Sequence, residues 1–319
     1  MAFEVATDPR RRHSGARRRL ARWTFLPAWL GLGLVALAHV AGLSLPVTVR
    51  YGVLLVTLVV LGLPHGAADH HSYARALGRD LTLGVLARFC VAYVALAVVY
   101  AVGWFLAPTV AFCVFIGLTW FHWGQGDLYS LKTLTDDETA SRLLAVLTVV
   151  VRGGLPMLVP LLFYPDRYAA VARTVVSLFG ADLQAWLALL FTADARLALG
   201  IALAAVSVVT LAVRYVSGQG PLARVDAGET VLLWVFFAAV PPVLAIGVYF
   251  ALWHSLRHVA RLIALDDVSM AALDRGAVRR PVGRFVRDAL PATVGALALF
   301  GGLALAVPAT PAGLTDVGG

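Results

Sequence analysis

Eight long runs of apolar residues constrain this chain more than any other feature of its sequence. An α-helix needs about 20 consecutive apolar residues to cross a bilayer, and most of the runs approach or exceed that length. The alternation of polar and apolar residues that is typical of membrane β-strands is absent from the sequence. The pattern predicts an all-α fold, a polytopic transmembrane helical bundle with about eight membrane-spanning helices. The runs cover residues 25–45, 47–64, 84–106, 108–123, 142–163, 196–213, 230–252 and 289–307.

The charged residues are few and are concentrated in two places. Only 14% of the 319 residues are charged and 60% are hydrophobic, which excludes an ordinary soluble domain. The net charge of +8 comes largely from the first 22 residues and from the stretch 257–287. Basic segments of membrane proteins mark the cytoplasmic side, and no motif for DNA or RNA binding accompanies them. We therefore expect a multi-pass protein of the plasma membrane, with its N-terminus in the cytoplasm and no nucleic-acid partner.

The same pattern divides the chain into three parts. Residues 1–22 are predicted to form a basic cytoplasmic arm, residues 23–309 a single transmembrane catalytic domain, and residues 310–319 a C-terminal tail. The connections between the apolar runs are short, so nothing indicates a second domain.

Histidines are the candidate metal ligands. His254 and His258 lie four residues apart in the stretch Trp253–His258 (WHSLRH), so that on a helix both imidazoles point from one face. Cys90 and Cys113 both lie inside apolar runs and indicate no cysteine-based site. Ionisable side chains at membrane depth are disfavoured unless they are paired, which makes a cluster of them informative. Six of the eight histidines cluster at the ends of three apolar runs: His65, His70, His71, His122, His254 and His258.

Two further motifs resemble each other. The stretches Gly62–Asp69 (GLPHGAAD) and Phe121–Asp127 (FHWGQGD) each end an apolar run with a histidine, a nearby glycine, and an aspartate four or five residues later. A metal-bound imidazole usually donates its second ring N–H to a carboxylate or a carbonyl, and Asp69 and Asp127 are predicted to accept such bonds. A single motif of this kind would indicate only a membrane-edge loop; two of them together with the His254–His258 pair favour a metal site.

The ligand types leave the metal open among iron, copper and zinc. A site within lipid receives apolar substrates, for which oxygen chemistry is more natural than hydrolysis, and this favours iron(II). Arg257 faces away from the two histidines on a helix, and we expect it to contact lipid phosphate. Aromatic residues beside the histidines are predicted to line a channel for a long, flat, conjugated molecule, although each of them singly fits an aromatic belt equally well. These are Trp120, Phe121, Trp123, Tyr249, Phe250 and Trp253.

The number of membrane crossings tests whether the three histidine motifs can lie on the same side of the membrane. If the N-terminus is inside, the runs that end at His65 and His122 deliver both histidines to the inside. With only two single crossings after that, His254 and the basic segment that follows would lie outside, against the positive-inside rule. An additional crossing or a re-entrant segment is therefore expected between residues 142 and 229. The candidates are the weakly apolar stretch 169–191 and a turn at the two prolines of the 142–163 run.

Together, the three motifs resemble the Brp/Blh family of membrane β-carotene 15,15′-dioxygenases, over about residues 47–262. The resemblance implies that the chain cleaves the central double bond of β-carotene with O2 to give two retinal molecules, the chromophore of microbial rhodopsins. It also implies an Fe(2+) cofactor bound by four histidines, which carry over to His65, His122, His254 and His258. It assigns no role to His70 or His71.

Other functions remain open. A di-iron acyl-lipid desaturase or hydroxylase would also be a membrane enzyme with histidine-bound iron, but such sites use more histidines than the six that cluster here. A non-enzymatic carotenoid or retinal carrier or a rhodopsin assembly factor would not need converging histidines, and a haem protein with two histidine ligands would have a Soret band. The main interpretation predicts β-carotene and O2 as substrates, membrane lipid as a partner, and supply of retinal to a microbial rhodopsin.

Overall fold

The chain folds as a bundle of long helices. The computed structural model describes residues 13–70, 82–135, 141–218 and 220–306, and every regular element in these ranges is a helix. Within them, six helices are long and apolar enough to cross a membrane: α1 (Ser14–Val40), α2 (Val47–Ala67), α3 (Leu83–Leu106), α5 (Arg142–Phe163), α7 (Ala193–Val216) and α9 (Pro242–Ala264). Three others have 20 to 28 residues: α4 (Pro108–Leu134), α8 (Gly220–Ala239) and α11 (Arg279–Ala306). The shorter helices are α6 (Pro165–Ser177) and α10 (Asp267–Asp274). The predicted helical membrane bundle is confirmed. The predicted number of about eight crossings lies between the six helices that are both long and apolar and the nine that are long.

The first helix begins earlier than the apolar run within it. It starts at Ser14, so residues 14–22 of the predicted arm are its first turns, whereas residues 1–12 and the predicted tail 310–319 lie outside the described residues. Buried positions recur along α1 every three or four residues, which is the spacing of one helix face. They include Ala16, Leu20, Ala28, Leu32 and Ala36.

The additional long helix that the count of crossings requires is formed by neither of the two candidate segments. The stretch 169–191 forms the end of the 13-residue α6 and short helical turns, too short to span a bilayer. Pro156 and Pro160 lie inside the continuous helix α5. Instead, the apolar run 230–252 is divided at Pro241 and Pro242 into α8 and α9. Proline has no N–H to donate and disfavours helical geometry in the residue before it, so two consecutive prolines end one helix and begin the next.

The core is formed where α1, α4, α5, α8 and α9 pack together. Its fully buried side chains include Leu32, Leu155, Leu233, Phe236 and Tyr249. By contrast, α3 is almost entirely exposed along its length, as expected for a helix at the periphery of a bundle in lipid.

Two glycines bring α4 and α5 into backbone contact. A Cβ atom on Gly124 would overlap the Val149 carbonyl, and one on Gly153 would overlap the Trp120 carbonyl. Small residues at such positions let membrane helices approach closely. Because α4 carries His122, this contact fixes the position of one candidate metal ligand relative to the core.

Candidate metal centre

Three histidines from three helices converge. His65 on α2, His122 on α4 and His254 on α9 each offer a ring nitrogen, and these nitrogens all lie within 4.8 Å of one another. The C-terminal ends of the three helices pack together, Leu134 of α4 with Ile263 of α9 in one cluster and Ala67 of α2 with Leu262 of α9 in another, so the three helices run in the same direction. For α4 and α9 to run in the same direction, an odd number of long helices must lie between them in the chain. The three helices α5, α7 and α8 meet this requirement. The separation at Pro241 and Pro242 is therefore what brings His254 to the same end as the other two.

Local irregularities of the helices position two of these histidines. A π-helical turn at Leu58–Gly62 ends three residues before His65, and a second one at Phe250–Ser255 contains His254. Single π-helical turns widen a helix locally and occur frequently at functional sites. Gly62 also permits close packing of the two turns, since a Cβ atom there would overlap the Phe250 ring.

Hydrogen bonds determine which ring nitrogens are available. The Gly62 carbonyl accepts a hydrogen bond from Nδ1 of His65, so the proton is on Nδ1, and Nε2 is the nitrogen left for a metal. Nε2 of His254 is buried and has no hydrogen-bond partner among the described residues. An unpartnered buried ring nitrogen is costly in an apolar interior. A metal ion would satisfy both nitrogens, so the donor set fits a metal.

His258 lies beside this group. Its ring centroid is 5.3 Å from that of His65, and its Nε2 lies 2.9 Å from a carboxylate oxygen of Asp69. A carboxylate in this position fixes the orientation of an imidazole. The contact leaves Nδ1 of His258 as the nitrogen available to a metal.

Asp127 contacts arginines and an indole. Its carboxylate accepts hydrogen bonds from Nη1 of Arg257 at 2.5 Å and from Nε1 of Trp253 at 3.2 Å. Trp253 directly precedes His254 and Arg257 lies three residues after it, so Asp127 acts on the position of that ligand through these two residues and not by direct contact with an imidazole.

The expectation that Arg257 meets lipid phosphate is wrong. Its side chain is 1% exposed, and its guanidinium carbon lies 3.7 Å from the centroid of the Trp253 ring. Besides Asp127, it binds Glu229 of α8, with Nη2 2.5 Å from the carboxylate. A helix face that points away from the ligands is not a lipid-facing surface here, because α1, α4 and α8 cover it.

Arg257 belongs to a buried network of three arginines and three carboxylates. Arg152 of α5 lies 3.4 Å from Asp127 and 2.8 Å from Glu229, and it also binds Asp226. Arg214 of α7 lies 2.8 Å from Asp226, and Nε1 of Trp29 donates to Glu229 at 2.7 Å. The network joins α1, α4, α5, α7, α8 and α9.

The sequence reasoning missed most of this network, although a signal was present. Arg152 lies in the middle of an apolar run, and Asp226 and Glu229 immediately precede another. Ionisable residues at membrane depth are expected to pair with each other. That these residues form ion pairs could thus be anticipated from the sequence, but which cation binds which anion could not.

The predicted channel aromatics lie in different environments. Phe250 and Trp123 pack directly against the imidazole of His254, at ring-centroid distances of 5.6 and 5.7 Å. Tyr249 and Trp253 are fully buried behind them. Trp120 donates a hydrogen bond to the Val150 carbonyl of α5, and Phe121 is exposed on the outer surface.

The centre is open on one side. His122 is exposed while His65 and His254 are buried. The exposed apolar side chains Val114, Leu118 and Phe121 lie on the same helix, and Val114, Leu118 and His122 follow at intervals of four residues. They form an apolar stripe that leads along α4 to the histidines.

Some of the predicted residues are not brought to the centre. The ring of His70 lies near Phe89 of α3, while His71 lies outside the described residues. The two histidines that lie outside the three motifs are also far from the centre in the chain: His13 binds Asp274, and His39 lies near the other end of α1.

The chain is similar in sequence to proteins of one family. A family model described as β-carotene 15,15′-dioxygenase matches residues 56–319. The chain is 46% identical over 298 residues to a protein of Halobacterium salinarum named probable β-carotene 15,15′-dioxygenase Blh, covering 93% of this chain and 86% of that protein. It is 33% identical over 283 residues to one named probable β-carotene 15,15′-dioxygenase Brp from the same species, covering 79% and 75%. No solved structure matches it. These matches confirm the resemblance carried by the three histidine motifs: the chain belongs to the β-carotene 15,15′-dioxygenase family.

Proposed function

We propose that this protein is a membrane-embedded dioxygenase that cleaves the central 15,15′ double bond of β-carotene to give two molecules of all-trans retinal. The bond between the two central carbons breaks, each carbon takes one oxygen atom, and one O2 molecule supplies both atoms. The observation that carries the proposal is the convergence of three histidine nitrogens within 4.8 Å in a chain of this family.

The cofactor is proposed to be iron(II), held by His65, His122, His254 and His258. When bound, iron supplies redox chemistry with O2 that no protein side chain offers. The protein orients the ligands: the Gly62 carbonyl holds the proton of His65 on Nδ1, and Asp69 holds His258. Asp127 contributes by holding Trp253 and Arg257 on either side of His254.

The substrate is proposed to enter sideways from the bilayer. The exposed apolar stripe Val114, Leu118 and Phe121 on α4 offers an apolar surface next to the exposed His122. Phe250 packs on both His65 and His254 and would contact the flat polyene near the metal. A rigid placement of the polyene centre at the histidines determines which double bond reacts.

The site is proposed to lie toward the cytoplasmic side of the plasma membrane. The first turns of α1 and the segment from Arg275 to Arg287 are rich in arginine, as is typical of cytoplasmic ends. Retinal released there into the lipid would be available to a microbial rhodopsin. This orientation is tested by introducing single cysteines at Ser14 and Ser44 and labelling intact cells with a thiol reagent that does not cross the membrane. We expect the cysteine at position 44 to react; reaction at position 14 but not at position 44 would show the opposite orientation.

The activity is tested by expression in a host that accumulates β-carotene, with retinal measured by chromatography. We expect the wild-type chain and a His39→Ala control to form retinal. Alanine in place of His65, His122 or His254 should abolish retinal formation and also lower the iron content from one ion per chain. Retinal formation by the His122 variant at the wild-type rate would overturn the ligand assignment. Two iron ions per chain would favour a di-iron enzyme instead.

A further inference from the structure

A large cavity opens at the end of the bundle where α1 and α8 begin and α4 ends. Its volume is about 790 Å³, and Ser14, Thr135 and Leu222 surround its mouth. It reaches down to Trp29 and Glu229, which is about 22 Å along α1 at 1.5 Å per residue. Phe25, Trp29 and neighbouring leucine and valine side chains give it mainly apolar walls. This size and composition are typical of a site for a mostly apolar ligand.

Three arginines stand on the cavity side of α1. Arg17, Arg18 and Arg22 line the cavity, and Nε of Arg17 is buried without a hydrogen-bond partner among the described residues. The ion pairs found within the described ranges include none of these three. Arg19 lies on the opposite side of the helix, where it donates to the Leu273 carbonyl at 2.6 Å.

The carboxylates at the bottom of the cavity do not neutralise these arginines. Glu229 is bound by Arg152 and Arg257, and Asp226 is bound by Arg152 and Arg214. With Asp127 included, three carboxylates face three buried arginines, so that network is balanced in charge. Among the described residues that line the cavity, the three arginines of its mouth are therefore not neutralised by a carboxylate.

We infer that this cavity binds one phospholipid with an anionic headgroup. Its phosphate lies among Arg17, Arg18 and Arg22, and one of its two acyl chains extends along Phe25 and Trp29 toward the middle of the bundle. Arginine recognises phosphate through paired N–H donors, and the apolar wall below matches an acyl chain. The site is separate from the metal centre, and its function does not depend on the reaction proposed above.

The test measures binding of phosphatidylglycerol and phosphatidylcholine to the purified full-length protein by native mass spectrometry. The variant R17Q/R18Q/R22Q removes the three cavity arginines. The matched control R275Q/R279Q/R280Q removes three exposed arginines that do not line the cavity. Each basic residue near an anionic lipid contributes about 1 kcal/mol, a factor of about five in affinity. We therefore expect the cavity variant to lose at least tenfold in affinity for phosphatidylglycerol, while the control binds like the wild type.

A second variant tests the apolar part of the site with all arginines kept. Val225 lines the cavity and is half-exposed, so Val225→Trp fills the cavity without disturbing the core, and it should also lower the affinity at least tenfold. Equal binding by the wild type and both cavity variants would overturn the inference. So would equal binding of phosphatidylcholine, or displacement of the lipid by inorganic phosphate, which would indicate a site for small anions.

Discussion

Replacing Arg257 by methionine tests whether the buried charge network holds the metal centre together. The guanidinium lies 2.5 Å from both Asp127 and Glu229 and is 1% exposed. Methionine keeps an apolar stem of similar length and removes the charge. Three buried carboxylates would then face only Arg152 and Arg214.

The expected cost follows from this imbalance. Removal of one partner of a buried ion pair destabilises a protein by about 3–5 kcal/mol, because the other charge is left uncompensated. At roughly 2–4 °C per kcal/mol, the midpoint of thermal unfolding should fall by roughly 6–20 °C. Since Arg257 lies between His254 and His258, iron content and retinal formation should fall as well.

The assay is thermal unfolding of the purified protein in detergent, with iron per chain and retinal formation measured on the same samples. Arg279→Met is the control, because Arg279 is exposed and surface substitutions change stability by only about 0.5 kcal/mol. The double variant Arg257→Met with Asp127→Asn restores equal numbers of charges. Its free energy of unfolding should exceed the value obtained by adding the two single effects by about 0.5–3 kcal/mol, which is the coupling expected for residues in contact.

One result would refute the reasoning. If Arg257→Met unfolds within about 2 °C of the wild type, the network does not stabilise the bundle. Arg257→Lys separates the effect of the charge from that of the guanidinium geometry, because lysine keeps the charge but lacks the planar group that binds two carboxylates. We expect it to retain part of the lost stability.

Three further predictions concern other parts of the site. Asp69→Asn should weaken iron binding about 10–100-fold, since outer carboxylates tune metal affinity to that extent; unchanged affinity in an iron titration would contradict the role of Asp69. Gly153→Ala should destabilise the protein by about 1–3 kcal/mol, because the added methyl group overlaps a main-chain carbonyl of α4. At an unhindered helical glycine the same change would stabilise the protein by up to about 1 kcal/mol, so the sign of the measured change in stability tests whether α4 and α5 are in close contact. Leu118→Trp should slow β-carotene cleavage without lowering iron content, whereas Leu37→Trp on α1 should leave the rate unchanged, although Leu37 is at least as exposed as Leu118; equal rates for both variants would argue against entry along α4.

Much of the architecture could be predicted because it depends on local composition. The apolar runs predicted a helical membrane bundle, and the histidine motifs predicted the family and the candidate ligands. Crossing parity even predicted that an additional crossing was needed before His254. Its position was missed because Pro241 and Pro242 interrupt a run that is apolar on both sides, and a hydropathy pattern does not register the break.

The sequence by itself determined that this chain spans a membrane as helices and which residue types can bind a metal there, because hydropathy and ligand chemistry are properties of single segments. Only the tertiary structure decided that His65, His122 and His254 meet, that His258 turns a nitrogen to Asp69, and that Arg257 faces carboxylates and not lipid. Those contacts join residues far apart in the chain. Which charges pair, and which face of a helix is covered, depends on how neighbouring helices pack, and no local pattern specifies that packing.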